Sequence, residues 1–158
     1  MMNDQHAGEN RVERVAQLFE RLYELSTLQF EHRLRPFELT IPQYLALQAI
    51  VRLGPVMPMI AISRAIKTPP SSVTGIANRL VTMDLIARER PPHDRRTVVV
   101  SATEAGKSLV ASFKAEQYKD LAMLLDGMLP ERVEQFTTTL TEFAEGLQLL
   151  SDTSALDG

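Results

Sequence analysis

Ser71, Ser72, Thr74, Gly75, Asn78, Arg79 and Thr82 fall on one side of a helical pattern whose other side is Val73, Ile76, Ala77, Leu80 and Met83. The first set combines short hydroxyl and amide side chains with one guanidinium. Small groups of this kind let a helix backbone approach closely, and their donors and acceptors then meet phosphates and base edges in a major groove about 12 Å wide. A merely solvated face would be expected to carry Lys and Glu, and this one has neither.

A second set of cations follows. Arg88 and Arg90 are two apart on a strand-like run, so they project to one side. His93, Asp94, Arg95 and Arg96 sit in the Pro91–Arg96 stretch, too long for a two-residue hairpin turn. Guanidinium groups on an extended loop suit a minor groove, where the potential is most negative. Asp94 would orient a neighbouring Arg through a bidentate pair. The alternative is an exposed loop with solvated charge.

Net charge separates along the chain. The protein has 158 residues and a net charge of −3, yet residues 64–96 hold seven basic and three acidic side chains, net +4. Residues 1–63 are net −1 and residues 97–158 net −6. A basic middle third within an acidic chain points to a polyanion-binding surface. Double-stranded DNA is the partner these groups fit.

Other chemistries find little support. His6, His32 and His93 lie on unrelated segments, with no His-x-x-x-His spacing and no phosphate-cradling glycine loop. The sequence has no cysteine, which excludes disulfides, thiolate metal sites and thiol redox sensing. The expectation is a protein that is not an enzyme and needs neither cofactor nor metal. The polar first ten residues do not resemble a secretory signal, and no apolar run reaches the roughly 20 residues of a membrane span. A cytoplasmic location is expected.

The elements that must position these groups are mostly helical. Apolar residues at steps of three and four predict helices over residues 10–35, 41–53, 58–66, 69–83, 103–127 and 130–150. Thr40 is placed to cap the second, and Thr68 to cap the fourth with Pro69 in its first position. Residues 85–90 and 97–102 read as strands. The expected fold class is mainly α with a small β-hairpin wing: a winged helix-turn-helix lobe over residues 39–102, helical dimerisation regions over 10–35 and 103–150, and a disordered tail at 151–158. The first and last helices carry more apolar surface than so small a lobe can cover, and a second copy of the chain is the simplest partner. Phe136, Leu140, Phe143 and Leu147 would line that dimer contact.

From Leu39 to Gly106 the chain resembles the MarR family of bacterial winged helix-turn-helix transcriptional regulators. The resemblance rests on Leu39-Thr40-x-x-Gln43, Ile62-Ser63-x-x-Ile66, Ser71-Ser72-Val73-Thr74, Asn78-Arg79-Leu80, Leu85-Ile86-x-Arg88, Asp94-Arg95-Arg96 and Thr103-Glu104-x-Gly106. Departures are Asp84 where the family usually has Gly, Asn78 for a frequent Asp, Ala61 for Glu and Ala102 for Leu. The resemblance implies a homodimer on a pseudo-palindromic operator. It also implies a repressor, released when a small aromatic or anionic effector binds between dimer helices and DNA-binding lobe. Tyr23, Phe30 and Tyr44 are the candidates for lining such a pocket, the alternative being ordinary core packing.

Overall fold

The computed structural model of the chain describes residues 2–54, 56–89 and 98–154. In chain order the elements are α1 (Met2–Leu34), a 3-10 turn (Arg35–Phe37), α2 (Ile41–Leu53), β1 (Met57–Pro58), α3 (Met59–Ala65), α4 (Pro70–Thr82), β2 (Ile86–Glu89), β3 (Val99–Ala102), α5 (Glu104–Leu125) and α6 (Pro130–Ser154). This is the mainly helical, winged architecture expected. Two compact units divide inside α5, one ending at Phe113 and the other beginning at Lys114.

In the first unit, local chemistry sets most boundaries. Thr40 caps α2 through a reciprocal pair: Gln43 N–H donates to Thr40 Oγ1 at 3.5 Å, and Thr40 N–H donates to Gln43 Oε1 at 2.9 Å. The Thr40-x-x-Gln43 spacing is thus a capping box. The turn between α3 and α4 is held by Ser63, whose hydroxyl donates to the Thr68 carbonyl at 2.6 Å. Lys67 turns the chain in a left-handed conformation (φ 49).

The start of α4 differs from the expected one. Pro69 is the N-cap and Pro70 the first helical residue, while the Thr68 hydroxyl donates to the Ile66 carbonyl at 3.1 Å. A residue before proline is held out of the α region, so Pro69, preceding Pro70, cannot be helical and the start shifts by one.

The sheet has the order β1-β3-β2, antiparallel throughout, with Met57 opposite Val100 and Ile86 opposite Ala102. Strand β1 has no counterpart in the sequence reading, because two residues ending in a proline show no alternation. The lobe also extends beyond residues 39–102. Its core takes Leu34 from α1 and Val110 and Phe113 from α5, together with Tyr44, Leu47, Ile50, Ile62, Val73, Leu80 and Ile86. Burying each large side chain contributes roughly 1.5–3 kcal/mol. Higher on α1 the apolar stripe lacks such cover: Val12, Leu18, Leu22 and Tyr23 are exposed.

The second unit holds the rest of α5 and α6. Helix α6 continues to Ser154, so residues 151–154, expected in a disordered tail, are helical; residues 155–158 lie outside the described residues. Leu121 and Leu125 of α5 and Phe136, Leu140 and Ala144 of α6 line an apolar groove of about 580 Å³. On α6, the hydroxyls of Thr137, Thr138, Thr139 and Thr141 each donate to the carbonyl four residues back, at 2.9–3.0 Å.

Candidate nucleic-acid interface

Helix α4 is amphipathic in the manner its sequence requires. Val73, Ala77 and Leu80 are buried, and Ile76 and Met83 pack against the same core. Ser71, Ser72, Thr74, Gly75, Asn78, Arg79 and Thr82 are all exposed. The face is low in profile: a Cβ added at Gly75 would meet nothing within 4 Å. The Thr74 hydroxyl donates to the Pro70 carbonyl at 3.2 Å, which leaves its oxygen able to accept.

Arg79 is tied within the lobe. Its Nη2 lies 3.4 Å from Oε2 of Glu38, in the connection before α2. Glu38 itself holds a left-handed backbone conformation, φ 51 and ψ 33. That geometry costs a residue with a Cβ roughly 1–2 kcal/mol, whereas an exposed ion pair returns at most about 1 kcal/mol. Glu38 did not stand out in the sequence, being separated from its partner by most of the lobe.

The end of α4 is joined to the start of β2 and of α5 at its C-terminal corner. Asp84 takes the left-handed position (φ 56) where the family usually has Gly. Its N–H donates to the Val81 carbonyl at 2.9 Å and the Leu85 N–H donates to Leu80 at 3.0 Å, the paired bonds of a Schellman motif. The Thr103 hydroxyl donates to the Asp84 carbonyl at 2.7 Å and accepts from the Gly106 N–H at 3.0 Å, so one side chain ties the end of α4 to the start of α5. Gly106 lies so close to the chain entering β2 that an added Cβ would run into the Leu85 carbonyl and lie 3.1 Å from Leu47 Cδ1. The Thr103-Glu104-x-Gly106 pattern is therefore a junction. Arg88 is exposed on β2. Arg90, His93, Asp94, Arg95 and Arg96 lie outside the described residues.

Residues 37–97, which contain α2, α3, α4 and β2, match the sequence profile of the MarR family. Over that stretch, which is the helix-turn-helix part of the lobe, the chain is similar to the MarR family. YhbI of Bacillus subtilis, named an HTH-type transcriptional regulator, is 28% identical over 144 residues, covering 85% of this chain and 93% of YhbI. FabT of Streptococcus pneumoniae, solved in complex with DNA, has a similar fold: TM-score 0.75, 20% identity, over 87% of this chain and 98% of FabT. BpsR of Bordetella bronchiseptica, whose DNA binding is regulated by 6-hydroxynicotinic acid, gives a TM-score of 0.62 at 24% identity, over 83% of this chain and 98% of BpsR.

The aromatic residues expected to line an effector pocket do not all meet. Phe30 and Tyr44 lie edge to face with ring centroids 5.3 Å apart, and each also packs on Phe113, at 4.8 and 4.2 Å. Tyr23 is 75% exposed and belongs to no such group. Phe113 escaped the sequence reading, although its spacing from Leu109 and Val110 is the helical signal that marks it. Among the described residues, the buried Tyr44 hydroxyl has no hydrogen-bond partner. Burial raises its pKa above 10.0; Gln48, one turn on, acts the other way without completing a hydrogen bond.

Tyr44→Phe should therefore leave the fold equally or more stable, by up to about 1 kcal/mol, because an orphaned hydroxyl is removed from the core. The folded state keeps the phenol proton to higher pH than the unfolded chain does. That contribution is intact below pH 10.0 and is lost as pH rises above it, so wild type should lose stability faster than Tyr44→Phe in alkali. Urea melts at pH 8 and 10.5 test both points. A variant destabilised by more than about 1 kcal/mol would mean that the hydroxyl has a partner.

Among the described residues, no group of three or more His, Asp or Glu side chains could hold a metal ion. No helix among them is long and apolar enough to cross a membrane.

Proposed function

We propose that this chain is a DNA-binding transcriptional regulator of the MarR type and not an enzyme: a repressor that binds double-stranded DNA as a homodimer and is released by a small aromatic or anionic effector. The observation that carries this reading is the exposed face of α4, built from small hydrogen-bonding side chains and one Arg over a buried apolar face. Helix α4 enters the major groove. Arg88, Arg90, His93, Asp94, Arg95 and Arg96 serve the wing in the adjacent minor groove. Residues 10–35 and 103–150 supply the dimer contacts, with Phe136, Leu140, Phe143 and Leu147 at their centre, and residues 39–102 supply most of the lobe. Two lobes related by a two-fold axis read a pseudo-palindrome with half-sites about 10 base pairs apart. The DNA complex of FabT and the effector-regulated binding of BpsR support the same reading.

The test is how α4 and the wing divide affinity and specificity. Arg96→Ala should weaken operator and random duplex alike and lower the salt slope by about one. Thr74→Ala should cost about 1–3 kcal/mol on the operator and little on random duplex, because the major groove carries more sequence information than the minor. The decisive number is the specificity ratio at fixed salt. Should Arg96→Ala lower that ratio while Thr74→Ala leaves it unchanged, the wing is the reader and the assignment of α4 fails.

A further inference from the structure

We propose that Glu38 stands in for a DNA phosphate at Arg79, holding the guanidinium in the free protein and yielding it when a duplex binds. The inference rests on the reading that α4 faces DNA.

The argument begins with a residue that stability does not account for. Glu38 sits in the left-handed region, φ 51 and ψ 33, closing the 3-10 turn with its N–H on the Arg35 carbonyl at 3.1 Å. Gly would hold that geometry without a Cβ penalty. Its carboxylate reaches Arg79 at 3.4 Å, with the two side chains 80% and 44% exposed. A long pair so open to water returns less than the backbone geometry costs. The gain therefore lies in what the pair does rather than in how it holds the fold.

The chemistry of the pair supplies that role. Carboxylate and phosphate oxygens are alternative acceptors for the same guanidinium fork. Because both partners are solvent-accessible, one can replace the other without unpacking the core. Arg79 lies in the last turn of α4, one to two turns beyond Ser71, Ser72, Thr74 and Gly75. Base edges are read mainly from the N-terminal part of a recognition helix, so the flanking phosphate backbone is what Arg79 meets. Until a duplex arrives, Glu38 neutralises that cation. Once it has been displaced, its charge faces a polyanion. Both effects lower affinity for DNA of any sequence and flatten its salt dependence.

Glu38→Gln keeps the shape and removes the charge. Binding to a fluorescent random-sequence duplex, followed by anisotropy across a salt series, should tighten about three- to fivefold at low salt. The salt slope should steepen by up to about 0.9. In an Arg79→Ala background the same substitution should change affinity by less than half as much. Glu131→Gln, the same charge change on α6, should leave binding as it was. Thermal unfolding of each variant shows that the lobe is intact. Binding that is unchanged or weaker in Glu38→Gln overturns the proposal, and so does equal tightening with and without Arg79. A different failure is recognisable: if Thr74→Ala and Arg79→Ala both bind operator and random duplex as wild type does, the assignment of α4 to DNA falls, and this proposal with it.

Discussion

Gly106→Ala should destabilise the winged lobe by about 3 kcal/mol, at the upper end of what one added methyl group costs. The added Cβ would run into the Leu85 carbonyl, which also accepts the Thr103 N–H at 3.1 Å and so cannot swing away. A flexible side chain could give way; a backbone oxygen at the meeting point of β2 and α5 cannot. In a chain of this size the melting midpoint should fall by roughly 6–12 °C. Gly75→Ala is the matched comparison. Its Cβ enters open space on a helix, so the same substitution there should raise stability by roughly 0.5–1 kcal/mol. A Gly106→Ala protein that melts within a degree of wild type would show that α5 does not approach β2 so closely.

Leu140→Glu should abolish dimerisation at micromolar concentration. Phe136, Leu140, Phe143 and Leu147 recur at helical spacing on α6 and remain 43–53% exposed in the single chain. A stripe of large apolar side chains left half in water is covered most simply by its own copy. A carboxylate introduced there must be desolvated without a partner, at a cost of several kcal/mol. A loss of about 4 kcal/mol raises Kd roughly a thousandfold. Because Leu140 is only half buried to begin with, the fold should survive, and circular dichroism should show unchanged helix content. Sedimentation velocity decides the matter. Operator affinity should fall with the dimer, since each lobe then binds its half-site alone. A variant that sediments as wild type does, or a wild type that is itself a compact monomer, would refute the assignment.

What could be read from the sequence was whatever is encoded within a few residues. Thr40 and Gln43 announce the start of α2 because a capping box is complete in four positions. The two faces of α4 follow from one helical period, and all its outward residues are exposed as that period requires. Tandem prolines misled the reading of where α4 begins, since the rule for the residue before proline overrides the usual preference for a threonine cap. Strand β1 was invisible because its pairing comes from β3, far along the chain. The same holds for Phe113 against Phe30 and Tyr44, and for Glu38 against Arg79: each pair is made by the fold, and neither partner carries a local mark of the other. The Asp84 position was legible from the family pattern, and its left-handed φ gives the physical reason glycine is usual there.

The threonines of α6 carry a thermodynamic consequence. A hydropathy count scores Thr137, Thr138, Thr139 and Thr141 as polar. With each hydroxyl already engaged by a carbonyl of its own helix, what these residues turn outward is chiefly a methyl group. Surface of that kind sheds water as hydrocarbon does. Its burial lowers heat capacity, whereas burial of free hydroxyls raises it. Calorimetry of the proposed dimer's association over a range of temperatures should therefore register α6 as more oil-like than its residue names imply, with an association enthalpy that grows steadily more negative on warming.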